Sequence, residues 1–292
     1  MIDRQKKTEA PSGGIRLAFL LNLAFTLIEI AGGLWTNSVA ILSDAVHDLG
    51  DSLSLGLAWF LDHYSQRDRD RRFSYGYRRF SLLGALFTAF VLFAGSFFVL
   101  SEALPRLLRP EPANAAGMAG FAIAGILANG AAVLRLRGSR SLNARVVLLH
   151  LLEDVLGWLS VLIVAVILLF TDLYLLDPLL SLLITCYVLF NVFRNLRETV
   201  QLFLQGVPAG INLDALEKEL VEVDGVRSVH HTHVWSLDGE HHVLTAHVVV
   251  DESADRVRAV QVKKTIKEHL RKYELSHLTI EIEFGQLDCA MD

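Results

Sequence analysis

An apolar segment over residues 39–61 carries three aspartates and a histidine near its middle. An ionised carboxylate at the centre of a bilayer costs about 2.5 to 3.5 kcal/mol on insertion scales, so such residues face a bundle interior and usually have a function. Asp44, His47, Asp48 and Asp51 are spaced at i, i+3, i+4 and i+7, which places all four on one stripe of a helix. The segment therefore predicts a membrane helix with one polar face.

A second histidine and aspartate pair lies about a hundred residues later in another apolar segment. His150 and Asp154 are four residues apart there, as are His47 and Asp51 in the first segment. Zn²⁺ prefers four tetrahedral ligands, and histidine and carboxylate are among its usual ones. The two pairs together predict a four-ligand site whose ionised carboxylates balance a divalent cation. The alternative is that each pair is only a polar clamp between helices.

The rest of the chain has the composition of a membrane protein. Of its 292 residues, 52% are hydrophobic, which is high for a soluble protein of this size. Six segments are each near the twenty residues that cross about 30 Å of hydrocarbon. They are residues 15–35, 39–61, 80–104, 115–134, 146–170 and 173–193. A cleaved signal peptide is the alternative for the first, but a second span follows it almost at once. We therefore expect an all-α membrane domain of six transmembrane helices.

Arginines predict the orientation of these helices. The segments over residues 64–79 and 135–145 carry six and four arginines, whereas the loop on the opposite side carries only Arg106 and Arg109. Because positive loops stay in the cytoplasm, both termini are expected there. We expect a cytoplasmic N-terminal tail over residues 1–14 and a transmembrane domain over residues 15–205.

Residues 206–292 differ in composition from the remainder and predict a small cytoplasmic domain. They hold 9 Lys and Arg against 16 Asp and Glu, and eight of the eleven histidines. An acidic, histidine-rich surface suits cations and argues against nucleic acid as a partner. Cys186 and Cys289 form no CxxC pair, so a metal site must use histidine and carboxylate ligands.

The pattern within this domain predicts the α+β order αββαβ. Asn212 can cap a first helix, and alternating residues predict strands over 226–237 and 242–250 joined by an Asp-Gly turn. A helix over residues 254–272 and a strand over 278–284 follow.

Short motifs along the chain are similar to those of one family. They are Asn22 and Glu29, Ser43-Asp44-Ala45 with His47 and Asp51, Tyr75-Gly76-Tyr77-Arg78-Arg79, Ser141-Leu142-Asn143 with His150 and Asp154, Asp177-Pro178, Ser181, Gly206-Val207-Pro208, the run from Val229 to Leu237, and Ala246-His247-Val248. Together they resemble the cation diffusion facilitators, most closely the zinc-transporting branch. The resemblance covers nearly the whole chain and implies that the cytoplasmic domain is metallochaperone-like and that the protein is a homodimer.

The resemblance also implies a metal site in the cytoplasmic domain. It assigns His230, His247 and Glu283 as ligands, with His277 and Glu281 close by. Strand alternation places Glu281 and Glu283 on one face. The other histidines near the turn are expected to be solvated or at an interface. They are His231, His233, His241 and His242.

The chain also departs from the family's pattern. Phe80-Ser81 stands where many relatives have an acidic residue, and the loop before it offers Asp68, Asp70 and arginines but no histidine. We therefore expect no metal in that loop. The segment over residues 135–145 has no histidine-rich insert, which favours a bacterial protein of the inner membrane.

Metal binding requires neutral histidine and ionised aspartate, so protons compete with metal for the same atoms. The expected function is export of Zn²⁺, or Cd²⁺, from the cytoplasm in exchange for H⁺, with Mn²⁺, Fe²⁺, Co²⁺ and Ni²⁺ as alternative substrates. Two other classes are an intramembrane metalloenzyme, which the lack of an HExxH motif disfavours, and a metal sensor that does not transport.

Other polar residues in the predicted spans have open roles. Asp44 and Asp48 are expected to line the cation's path, to accept protons, or to pair with an arginine at a helix end. Asn22, Thr26 and Glu29 form a stripe that predicts either pathway or interhelical hydrogen bonding, and Glu153 need not contact the same ion as Asp154.

Overall fold

The computed structural model describes residues 12–65, 67, 69–136, 142–273 and 275–285. Most of the expected N-terminal tail, as well as Asp68, Ser141 and Cys289, lie outside these residues. Contacts divide the chain into two compact units. One contains most of the helical segments, and the other combines Tyr64–Leu83 with Arg197–Asp292.

Six long helices come first in the chain. They are α1 (Ser12–Thr36), α2 (Val39–Ser65), α3 (Phe80–Leu108), α4 (Ala115–Leu136), α5 (Leu142–Phe170) and α6 (Leu176–Phe203). Five are long and apolar enough to cross a membrane. The remaining long helix, α2, carries Asp44, Asp48 and Asp51 of the predicted polar stripe. The prediction of a six-helix membrane domain is confirmed. Helix α6 was predicted to begin at Leu173. It begins at Leu176, because residues 173–175 form a turn before Asp177.

Close packing of α4 against α5 forms the main core of the helical unit. Trp158 of α5 is 1% exposed, and a Cβ atom at Gly125 of α4 would lie only 2.4 Å from its ring. Phe25 of α1 contacts the same indole edge to face, with ring centroids 6.2 Å apart. Glycine at position 125 thus allows α4 to approach the indole of α5 closely.

A side chain of α6 caps the N-terminus of α2. Asp177 accepts hydrogen bonds from the Ser38 hydroxyl and from the backbone amide of Val39, the latter at 2.8 Å. Helix N-termini leave backbone amides without partners, so a buried carboxylate there stabilises the helix. Farther along, the Ser43 and Thr185 hydroxyl oxygens are 2.8 Å apart. These contacts hold α2, with its polar stripe, against α6.

The outward surface of the helical unit is apolar. Large side chains such as Leu127 and Phe97 are 67% and 69% exposed, and Phe190 is 65% exposed. Apolar side chains exposed in this number are unfavourable in water but favourable in lipid. The unit is therefore an integral membrane domain.

The second unit contains a small α+β fold in the predicted order. Its elements are α7 (Leu213–Val221), β1 (Val226–Ser236), β2 (His242–Val250), α8 (Arg256–His269), a 3₁₀ turn (Leu270–Tyr273) and β3 (Leu275–Phe284). The sheet order is β1-β2-β3, with β1 antiparallel and β3 parallel to the central β2. Asn212 caps α7 by accepting from the amide of Ala215, and Gly239 takes a left-handed conformation in the turn.

The core of this fold lies between the sheet and the two helices. Leu216 and Leu220 of α7, Ile266 of α8 and Leu244 of β2 are completely buried, and Ile280 of β3 packs with them. The inward face of each strand is thereby fixed, which also fixes the direction of the side chains on the outward face.

Candidate metal centres

Side chains of α2 and α5 converge within the helical unit around Asp51. Its Oδ2 atom lies 3.2 Å from His150 Nε2 and 3.8 Å from His47 Nε2. One ligand atom from each of these three residues lies within 4.8 Å of the others. The structure thus brings together three of the four residues that the sequence predicted, and a cation bound there would join α2 to α5.

Asp154, the fourth predicted ligand, lies at the edge of this cluster. Its Oδ2 atom is 4.0 Å from His150 Nε2, one helical turn away. His47 Nε2, Asp51 Oδ2 and Asp154 Oδ1 are shielded from solvent, and none makes a hydrogen bond with a described residue. A buried polar atom without a partner costs about 1–3 kcal/mol. A divalent cation removes this cost by taking these atoms as ligands, so the donor set fits such an ion.

Asp44 and Asp48 lie on the same side of α2 but are more deeply buried. They are 7% and 8% exposed. A Cβ atom at Gly157 of α5 would be 3.5 Å from Asp44 Oδ1, so this carboxylate faces α5 beside the cluster. No described arginine makes an ion pair with either aspartate. The sequence left three roles open for these aspartates: lining the cation's path, accepting protons, or pairing with an arginine. Their position beside the cluster agrees with the first two.

The polar stripe of α1 contacts α2 at two of its three positions. The Asn22 side-chain amide donates to the Asp48 carbonyl at 3.4 Å, and the Thr26 and Ser52 hydroxyls are 3.3 Å apart. These two residues therefore form interhelical hydrogen bonds. Glu29 is completely buried, and its carboxyl group lies against that of Asp48 on α2.

A second group of histidine and carboxylate ligands lies on the sheet of the second unit. His230, His247 and Glu283 come from β1, β2 and β3, one residue from each strand. Glu283 Oε1 is 2.6 Å from His247 Nδ1, and Oε2 is 3.1 Å from His230 Nε2. The Glu283 side chain is only 4% exposed. Each of its oxygens thus faces a different imidazole in a protected position.

Glu281 contributes to the outer edge of this second group. Its Oε2 atom is 3.5 Å from His247 Nε2, and its side chain is 62% exposed. Both carboxylates of β3 therefore contact the same histidine, as strand alternation predicts. His277, which the family resemblance placed nearby, is not in the group, and its ring contacts Tyr75 with centroids 5.4 Å apart. That prediction was wrong because His277 pairs with Val243 of β2, four residues before His247.

A β-bulge in β1 shapes the second group. His230 pairs with His247 and His233 with Thr245, so two residues of β1, His231 and Thr232, lie opposite one residue of β2. His231 adopts a left-handed backbone with φ 48°, which is uncommon for a residue other than glycine. Its ring lies 5.1 Å from that of His230 and 5.2 Å from that of His247. We expected His231 to be solvated or at an interface, and the structure places it against the ligands.

The carboxylate of Asp70, in the loop before α3, accepts hydrogen bonds from other residues of the same loop. Asp70 Oδ1 accepts from the amides of Arg72 and Phe73, and Oδ2 accepts from the Tyr77 hydroxyl at 2.7 Å. The hydrogen bond from Tyr77 lowers the pKa of Asp70 below its usual value. Asp70 therefore orders the loop.

Comparisons with known proteins agree with this architecture. A family model described as "Cation efflux transmembrane domain" matches residues 15–204. The chain belongs to the cation efflux family. A second family model, "Cation efflux protein, cytoplasmic domain", matches residues 208–284. The resemblance to the zinc-transporting branch of the cation diffusion facilitators is thus confirmed. As members of this family are transporters, the metalloenzyme alternative is excluded.

Individual relatives of this cation efflux protein carry metal-related names. "Zinc transporter ZitB" of Pectobacterium atrosepticum is 34% identical, over 93% of this chain and 85% of the relative. "Cadmium, cobalt and zinc/H(+)-K(+) antiporter" of Bacillus subtilis is 27% identical, over 91% and 87%. A solved structure described as "Metal-bound C-terminal domain of the CzcD transporter from Cuprividus metallidurans" is 30% identical and covers 25% of this chain and all of that one, with a TM-score of 0.23. The chain is a divalent metal cation efflux protein of the membrane.

Proposed function

We propose that this cation efflux protein exports Zn²⁺ from the cytoplasm in exchange for H⁺, and that it does so through His47, Asp51, His150 and Asp154. The observation that carries the proposal is the convergence of Asp51 with both histidines, together with the shielded ligand atoms that have no hydrogen-bond partner among described residues. The ZitB relative is named a zinc transporter, which supports zinc as the cation. Imidazoles and carboxylates in equal number also suit Zn²⁺ or Cd²⁺ better than Mg²⁺ or Ca²⁺.

Competition between metal and protons supplies the coupling in this mechanism. An imidazole binds metal only when neutral, and an unperturbed imidazole titrates near pH 6.5. On the more alkaline side the histidines are free to bind Zn²⁺, and on the more acidic side protons displace it. Asp51 contacts both histidines, so its negative charge stabilises the bound cation and, after release, the protonated imidazoles. The Bacillus relative is named an antiporter, which agrees with this exchange.

Zinc uptake into proteoliposomes that contain the purified protein tests this account. An imposed pH gradient should drive zinc transport in the wild-type protein, and His47→Ala and Asp154→Ala should each abolish it. Glu102→Gln on α3 is a matched control, since Glu102 contacts Arg106 and is not part of the cluster. Transport that persists in both site variants, or that is indifferent to a collapsed gradient, contradicts the proposal.

The choice among metals needs a separate measurement. Cobalt and cadmium appear beside zinc in the name of the Bacillus relative, and Mn²⁺, Fe²⁺ and Ni²⁺ accept the same ligands. Zinc transport measured with each of these ions as competitor should be inhibited most strongly by Cd²⁺. Stronger inhibition by Mn²⁺ or Fe²⁺ would indicate that ion, rather than zinc, as the transported substrate.

We propose that the cytoplasmic domain, residues 206–292, binds metal through His230, His247 and Glu283 and regulates transport within a homodimer. The buried carboxylate between two imidazoles supports a resident ion rather than a passing one. The three ligands come from three neighbouring strands, so an ion there also stabilises the sheet. Light scattering of the purified protein with and without zinc tests the assembly, and a monomer under both conditions contradicts it.

The same proposal places the protein in the bacterial inner membrane with both termini in the cytoplasm. The arginines before α3 and after α4 support this orientation through the positive-inside rule. It assigns residues 15–205 to transport. A cysteine-accessibility assay on intact cells, with a cysteine placed in the loop between α3 and α4, should label from outside. Labelling only after lysis contradicts the orientation.

A further inference from the structure

The loop before α3 and the sheet of the second unit enclose a pocket with an unusual charge. Its volume is about 280 Å³. The lining residues come from the loop, from the residues after α6 and from β1 and its turn. They are Arg72, Phe73, Ser74, Tyr75, Gly76, Arg78, Arg79, Phe80, Gln205, Trp235 and Leu237. Three arginines thus line the pocket, and none of its described lining residues carries a carboxylate.

The three arginines differ in their counter-charges. Arg78 Nη1 lies 3.7 Å from Asp238 Oδ2 in the turn between β1 and β2. Arg72 and Arg79 have no carboxylate partner within 4.0 Å among the residues that the structure describes. Unpaired guanidinium groups in a concave site attract an anion, and their planar forks match the oxygens of a phosphate.

The pocket is held in shape before any ligand binds. Asp70 fixes the backbone of the loop, and Gly76 supplies the left-handed residue of its turn, with φ 80°. The Tyr75 ring contacts the Trp235 and His277 rings edge to face, with centroids 6.3 Å and 5.4 Å away. A binding site that is ordered in advance loses less conformational freedom when its ligand arrives.

The chain connectivity indicates which phosphate this site meets. Phe80 lines the pocket and is the first residue of α3, and Gln205 lies two residues after the end of α6. Both helices are candidate membrane spans, so the chain enters one span at Phe80 and has just left another at Gln205. We infer from this connectivity that the nearest phosphates are those of lipid headgroups.

We propose that this pocket binds the phosphate of an anionic phospholipid headgroup, with Arg72 and Arg79 as its main ligands. A zwitterionic headgroup binds less well because its cationic amine meets the same arginines. The lipid then joins the loop to the sheet of the cytoplasmic domain. This inference does not depend on the metal or on the direction of transport.

Binding to the full-length protein in detergent, without metal, tests the proposal. Three probes are compared: short-chain phosphatidylglycerol, short-chain phosphatidylcholine and inorganic phosphate, each followed by native mass spectrometry. Phosphatidylglycerol should bind the wild-type protein at least about tenfold more tightly than the other two, since charged hydrogen bonds are among the stronger ones. Equal binding of inorganic phosphate would show a site for a soluble anion and overturn the lipid assignment. Equal binding of phosphatidylcholine would overturn the charge argument.

A matched pair of double variants separates the pocket from general charge. Arg72→Gln with Arg79→Gln should weaken phosphatidylglycerol binding by about tenfold or more. Arg69→Gln with Arg71→Gln removes the same charge from the same loop outside the pocket, and should change binding less than about twofold. Arg72→Lys with Arg79→Lys keeps the charge but not the fork and should give an intermediate loss. The same loss in both glutamine pairs, or no loss in the first, contradicts the proposal.

Discussion

The two candidate metal centres of this protein use the same ligand types on different secondary structures. In the membrane unit, two helices each supply a histidine and an aspartate four residues apart, and the contacts with Asp51 are 3.2 and 3.8 Å long. In the cytoplasmic fold, three strands each supply one residue, and Glu283 contacts its two histidines at 2.6 and 3.1 Å.

The carboxylate of the first centre, which has the longer contacts, is also the more exposed of the two. The Asp51 side chain is 30% exposed and the Glu283 side chain 4% exposed. A site for cargo has to admit its ion and release it, so longer contacts and partial exposure suit transport. A site that keeps its ion gains from short contacts arranged in advance. The comparison therefore favours cargo at the first centre and a resident ion at the second.

The largest expected effect comes from Asp51→Asn. Mutation of a residue that hydrogen-bonds to a metal ligand typically lowers metal affinity by about 10–100-fold. Loss of a ligand that itself contacts both histidines should therefore lower the rate of zinc transport by at least about 100-fold. The measurement is initial zinc uptake in proteoliposomes, with Glu102→Gln as the control carboxylate. Zinc uptake near the wild-type rate in Asp51→Asn would show that the first centre does not bind the transported ion.

Glu283→Gln should separate the two centres. Zinc affinity of the cytoplasmic site is expected to fall about 10–100-fold, whereas transport driven by saturating zinc and a pH gradient continues. Isothermal titration of the full-length protein in an Asp51→Asn background isolates this site. The control is Glu281→Gln on the same strand, which is exposed and should weaken binding less than about threefold. Abolished transport in Glu283→Gln would mean that both centres handle cargo.

A smaller effect is expected from the cap of α2, the helix that presents His47 and Asp51. Asp177→Ala removes the acceptor for the Ser38 hydroxyl and the Val39 amide, and loss of an N-cap typically costs about 0.5–2 kcal/mol. Thermal unfolding of the purified protein should shift to a lower temperature. Asp172→Ala in the preceding loop is the control, since the Asp172 carboxylate is exposed and accepts a hydrogen bond from the Tyr174 hydroxyl rather than from a helix N-terminus. An equal shift in both variants contradicts the role of the cap.

The same difference between the centres determined how well each was predicted from sequence. Helical ligands at i and i+4 lie on one face whatever the rest of the fold does, so His47 with Asp51 and His150 with Asp154 were recognisable in advance. Ligands on three strands depend on register, and only the family resemblance suggested His230, His247 and Glu283. The approach of Asp177 to Ser38, 139 residues away, has no local signal.

The bulge at His231 was also beyond prediction, and the position assigned to His277 was wrong for the related reason of strand register. A bulge shifts which residues face each other across two strands, and no periodic pattern indicates it. His231 belongs to a run of polar residues that strand alternation alone would distribute evenly over both faces. The left-handed backbone at this residue is what brings its ring to the same side as His230.

A difference between two variants at one position tests the role of that bulge. Asparagine tolerates a left-handed backbone, whereas a β-branched residue does not, so His231→Val should lower the free energy of unfolding by about 1–2 kcal/mol more than His231→Asn. If the bulge only positions His230, zinc affinity of the cytoplasmic site falls in His231→Val and is retained in His231→Asn. Equal loss of affinity in both variants means that the imidazole itself binds the ion. The second centre would then hold its ion with three histidines and a buried glutamate, which widens its difference from the cargo site.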